Sequence, residues 1–222
     1  MLHKSIGLLI FLLFSLLLYS QEFTNHKFLS VKDCNKKRTE LRVGFADNKK
    51  ILQEFELQIL IALSAYSELK NTKISFKKRK IKTSMVCRPK FSFIIKKRAM
   101  RSYIILINYD SKKLKGLMLS DIPFNAQVGI IAHEIAHALD YSTKTNFQLI
   151  KEGFAYMKKK NRYKLEKHVD RLTISHGFGW QLYDWAKFVL NSDVSSDYKE
   201  YKRKTYLLPE EILEIMEKEY KD

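Results

Sequence analysis

The stretch His133-Glu134-Ile135-Ala136-His137 constrains this chain more than any other. It reads H-E-x-x-H, and the residues from Val128 to Leu139 around it are small or apolar apart from the motif itself. Such a segment reads as a helix, on which residues four apart lie one turn apart on the same face. Both imidazoles can then reach one tetrahedral Zn²⁺, each through a ring nitrogen about 2.0–2.1 Å away. Glu134 follows the first histidine, so it enters the same cleft at a different angle. It is placed to take a proton from a zinc-activated water rather than to bind the metal.

A catalytic zinc site normally has three protein ligands and a water, so one ligand must come from elsewhere. Residues 165–171 hold three candidates: Glu166, His168 and Asp170. Glu166 and Asp170 are four apart and share a helix face, beside the apolar side marked by Leu165, Val169 and Leu172. His168 is turned from Glu166 by about 200° and sits nearer solvent. Glu166 is therefore the preferred third ligand. Asp170 would accept the other ring N–H of a liganding histidine and fix its tautomer. Glu152 is the second choice for the ligand, and His168, in an all-histidine site, is a further alternative. After the second histidine the chain runs Ala138-Leu139-Asp140-Tyr141-Ser142-Thr143, which lacks the Gly and third His of the metzincins.

With Glu166-Lys167-His168-Val169-Asp170 downstream, the motif resembles the gluzincin pattern of H-E-x-x-H and a later E-x-x-x-D helix. It is most similar to compact forms such as the peptidase M48 type and the minigluzincins. The resemblance spans residues 122–179, and Val169 stands where a small residue is usual. It implies a helix–sheet–helix, zincin-like fold around one zinc, with His133, His137 and Glu166 as ligands, Glu134 as general base and peptide hydrolysis as the reaction.

The rest of the chain predicts an α+β organisation. Residues 21–40 are polar and read as a loop or arm. Leu41 to Phe45 alternates and suggests a short strand, and 51–69 carries a helical stripe with Asp47 or Asn48 as its cap. Residues 73–109 read as a small, mostly antiparallel sheet, with strands at Ile74–Phe76, Met85–Val86, Phe91–Ile95 and Tyr103–Tyr109. Helices are expected over 125–142, 147–160, 162–176, 179–190 and 209–220. Pro209 followed by Glu210 and Glu211 suits a helix start.

Residues 1–20 read as a secretory signal peptide: a short polar start, an apolar run from Ile6 to Leu18, then Leu18-Tyr19-Ser20. That run is shorter than the ~20 residues of a spanning helix, though an uncleaved anchor is the other reading. The mature chain, 21–222, is long enough for one domain with a real core. Export would put Cys34 and Cys87 in an oxidising compartment, where two readings stay open: a disulfide or two buried thiols. The net charge of +17, behind a signal peptide, fits anionic envelope polymers, acidic lipid head groups or acidic substrates better than nucleic acid. The bland reading is a Lys-rich surface, because the charges are spread along the chain.

Three functions therefore stand as expectations. One is an exported zinc-dependent metallopeptidase acting on peptide or protein substrates. Another is a non-catalytic envelope-binding or structural protein that retains a gluzincin-like fold, and the third is a zinc-dependent hydrolase acting on something other than a peptide. Oxyanion stabilisation would fall to one of His176, Tyr183, Tyr201 or Tyr206, and spacing selects none of them.

Overall fold

A computed structural model describes residues 23–219. The expected leader, residues 1–20, lies outside the described residues. Among the described residues no helix is long and apolar enough to cross a membrane.

The structure is α+β, a four-stranded sheet followed by a helical half. Helices α1 (Val31–Lys36) and α2 (Arg38–Phe45) lead into a two-residue strand β1 (Lys49–Lys50) and helix α3 (Glu56–Ser64). Strands β2 (Lys73–Lys78), β3 (Met85–Pro89) and β4 (Ser102–Ile107) follow. The helical half comprises α4 (Phe124–Thr143), α5 (Asn146–Tyr156), α6 (Lys159–Thr173), α7 (Gly179–Asn191), α8 (Ser196–Thr205) and α9 (Pro209–Glu219).

Several expectations are corrected. Residues 41–45 are helical: Leu41 and Phe45, one turn apart, are both buried while Val43 between them is 82% exposed. That is a four-residue repeat, which a five-residue window cannot separate from alternation. The supposed loop before it contains α1, whose first turn is capped by Ser30 Oγ accepting from the Asp33 N–H. Phe91–Ile95 is a 3₁₀ turn. The β3–β4 ladder ends with the Lys90 N–H on the Ser102 carbonyl, after which Phe93 and Lys96 bond back three residues. Its β-prone side chains find no sheet face to cover.

The sheet is mixed rather than mostly antiparallel. Its order is β1-β2-β4-β3, with β1–β2 and β2–β4 parallel and β3–β4 antiparallel. Helix α3 carries the chain from β1 to β2 as a crossover, and β2 takes β4 as its neighbour instead of the next strand in sequence. Strand β3 is left on the outer edge, against α4.

Helix α4 is the centre of the molecule. Every residue from Asn125 to Asp140 is buried, and α3, α6, α7 and β3 all pack on it. An apolar surface on all sides is what a central helix needs. Gly129 sets the closeness of α4 to α7: a Cβ there would fall 2.2 Å from the Gln181 carbonyl oxygen. Asn125 ties the entering chain to this core, accepting from the Leu29 N–H at 3.2 Å and donating to the Lys27 carbonyl at 3.2 Å. Helix α5 starts with a reciprocal cap between Thr145 and Gln148.

Cys34 and Cys87 are not bridged; both thiols are buried, in α1 and β3. Burial pushes the Cys87 thiol well up, which keeps it protonated and unreactive.

Candidate metal centre

The motif helix presents His133, Glu134 and His137 from the buried middle of α4. Helix α6 crosses it and turns in Glu166, Val169, Asp170 and Thr173, its buried residues. Glu166 and Asp170 are spaced one turn apart, so both carboxylates meet the histidine face. Their burial, 2% and 1% exposed, would be costly without partners.

Those partners are the histidines. Glu166 Oε2 lies 3.2 Å from His133 Nε2 and 3.3 Å from His137 Nε2. One ligand atom from each of the three residues lies within 4.8 Å of the others, a group that could hold a metal ion. The imidazoles stand edge to face, with centroids 4.8 Å apart and planes at 87°. Two ring nitrogens and one carboxylate oxygen this close together are a donor set that could hold a metal ion. On the far side of the first ring, His133 Nδ1 lies 2.9 Å from Asp170 Oδ1. The other oxygen, Asp170 Oδ2, accepts the Leu207 N–H at 2.8 Å. At 2.9 Å His133 Nδ1 and Asp170 Oδ1 make no hydrogen bond of good geometry, and Asp170 also pins the chain before α9.

Glu134 is buried beside the pair. Its Oε2 is buried with no hydrogen-bond partner, and the backbone of Cys87 on β3 lies close to the carboxyl. Burial pushes its carboxyl up; the neighbouring His137 and His133 offset part of that. Burial alone would also raise Glu166, but His137 and His133 hold it well below the usual carboxylate range. Burial would lower His133, yet Asp170 and Glu166 overcome it and raise the ring to about 10. Glu134 and Glu166 are thus pushed in opposite directions.

Tyrosines complete the wall. Tyr156 donates its hydroxyl to Glu166 Oε1, leaving Oε2 to the histidines. The Tyr141 ring stacks on His137 at 5.7 Å, and Tyr206 meets His133 edge-on at 5.7 Å. Burial pushes all three phenols up, so they remain O–H donors. Of these, Tyr141 and Tyr156 are not among the residues that sequence reasoning singles out. Tyr141 lies four residues after His137, a spacing that places it on the same helix face. Tyr156 sits on α5 and has no such signal.

The other candidates separate. Glu152 pairs with Lys144, and His168, its side chain 59% exposed, lies 3.4 Å from Asp140 Oδ1. Neither belongs to the convergent group, although Glu152 lines the same cleft. His176 stacks on Tyr66 and bonds the Leu172 carbonyl, and Tyr183 packs edge-on against Trp180. Tyr201 and Tyr206 line the cleft; His176 and Tyr183 do not.

The cleft holds about 850 Å³. Strand β3 forms one side, and apolar residues of α7 and α9, including Leu182, Trp185, Val189 and Ile212, form another. No protein-family model, curated protein or solved structure matches this chain.

Proposed function

We propose that this protein is an exported zinc-dependent metallopeptidase of the gluzincin type. The observation that carries the reading is the convergence of His133 Nε2, His137 Nε2 and Glu166 Oε2, with the unpartnered Oε2 of Glu134 buried beside them. His133, His137 and Glu166 would hold the metal. Zinc bound there would supply Lewis acidity, polarising a carbonyl and bringing the pKa of a water toward 7. Glu134, its carboxyl raised by burial, would accept a proton from a water in the cleft and pass it to the leaving amine. Asp170 orients His133 and Tyr156 orients Glu166.

Among the described residues β3 is an edge strand, which supports a peptide as substrate. The Asn108 N–H on the Ser84 carbonyl and the Lys90 N–H on the Ser102 carbonyl mark hydrogen-bonded pairs of the antiparallel ladder. Alternate residues, Met85 and Cys87, then turn their backbone groups outward beside the metal centre. An extended peptide can add to that edge. The buried Glu134 weighs against the non-catalytic reading, because an acid held there without turnover only costs stability.

Two measurements test the proposal. The purified protein should contain about one zinc per chain, and a chelator should abolish peptide cleavage that added zinc restores. Glu134→Gln should retain the zinc and lose turnover. Protein that never binds zinc, or a Glu134→Gln variant that still cleaves, sinks the reading.

A further inference from the structure

The exposed large apolar residues are not scattered. Twelve such residues are exposed among the described ones, and eight of them fall in 91–100 and 147–157. On α5, Phe147, Ile150, Phe154 and Met157 lie within an arc of about 80° at 100° per residue, turned away from the buried Leu149. Phe91, Ile95 and Met100 are exposed on the adjoining 3₁₀ turns.

The two segments are held together. Asn146 Nδ2 donates to the Ile94 carbonyl at 3.1 Å, and Arg98 and Arg101 donate to carbonyls at the α4–α5 junction. They therefore form one surface. Exposed apolar clusters of this kind on a folded domain mark a contact surface.

Charge selects the partner. Residues 88–101 and 144–164 carry thirteen Lys and Arg against one acidic residue, Glu152, which pairs with Lys144. Lys151 borders the apolar arc of α5 on one side, and Lys158, Lys159 and Lys160 continue past the end of the helix. Aromatic and aliphatic side chains rimmed by long cations match the boundary of an anionic bilayer. There the apolar face enters the acyl region and the ammonium groups reach the head groups. Each cation near such a surface adds to the attraction.

We propose that α5 and the 91–101 segment form a docking surface for an anionic phospholipid bilayer. Phe91, Phe93, Leu149 and Ile150 also line the cleft. Docking would therefore set the metal centre beside the membrane and favour peptides presented at it. The surface itself does not depend on the peptidase reading.

The test uses the full chain with Phe154→Trp, a site 69% exposed where the larger ring meets no core. The wild-type emission is subtracted to remove Trp180 and Trp185. Vesicles of phosphatidylcholine and phosphatidylglycerol in about a 7:3 ratio should blue-shift the added emission, and brominated acyl chains should quench it. Pure phosphatidylcholine should do neither, whatever the first twenty residues contribute. Replacing Lys158, Lys159 and Lys160 by Gln in the same background should raise the lipid needed for half the shift at least about tenfold.

An emission blind to both vesicle types, or equal with both, overturns the proposal. So does a Phe154→Trp signal that shifts with protein concentration and not with lipid, which would mark a protein interface. Because a chelator and Glu134→Gln should leave the shift unchanged, failure here is distinguishable from failure of the peptidase reading.

Discussion

Helices α4 and α5 are consecutive in the chain and reverse each other's chemistry. Helix α4 buries His133, Glu134 and His137 in the middle of the core, while α5 leaves Phe147, Phe154 and Met157 in solvent. Each departs from the ordinary distribution of polar and apolar residues, and such departures concentrate where function overrides stability. They differ in what supports them. The polar groups of α4 are held by a second helix, with Glu166 and Asp170 on one side and Tyr156 beyond. Among the described residues the apolar groups of α5 have no such neighbours. The metal centre is a precise site, and the α5 face is a broad one.

Substitutions can break or sharpen this contrast. The largest effect is expected at Glu166→Ala, which removes the carboxylate oxygen that both histidines contact. It should abolish stoichiometric zinc and with it all cleavage, whereas His168→Ala should change neither. The reverse result in a metal titration would hand the ligand role to His168. Next comes Glu134→Gln, which should lower kcat by about 10²–10⁴ with zinc content unchanged. Asp170→Ala should weaken zinc affinity by about 10–100-fold, because His133 loses its orienting carboxylate. Equal zinc affinity in wild type and variant would show that the His133–Asp170 contact is structural only.

Stability separates the two helices further. Ile135→Ala empties space in the fully buried stripe of α4 and should cost about 2–5 kcal/mol in denaturant unfolding. Phe154→Ser on α5 should stay within about 0.5 kcal/mol of wild type in the same measurement. A large loss at Phe154 would mean that the α5 face packs against the fold after all.

Much of the metal centre is legible in residue spacing alone. The four-residue spacings His133/His137 and Glu166/Asp170 each imply a shared helix face, and the apolar surroundings of both place those faces inward. The same geometry turns His168 away from the site, and the structure leaves it there, on Asp140. The long helices are readable because each carries several turns of periodic signal. The short N-terminal elements are not: over residues 41–45, one helical turn and one alternating strand look alike. Sheet order is not readable either, because pairing β2 with β4 past β3 depends on contacts far apart in sequence. Tyr156 is invisible for the same reason, since its partner Glu166 lies on another helix.

The sequence by itself determined the chemistry on offer: two imidazoles and a carboxylate on one helix, two carboxylates on another, and an α+β chain to carry them. Helical periodicity is local, so it can be read from neighbours. Tertiary structure decided which carboxylate meets the histidines, which is left for the Lys144 pair, and which strand edge faces the cleft. It also decided that the apolar stripe of α5 has no core to enter. Periodicity shows that a helix has an apolar face, but only the packing of the other elements shows whether the molecule has anything to place against it.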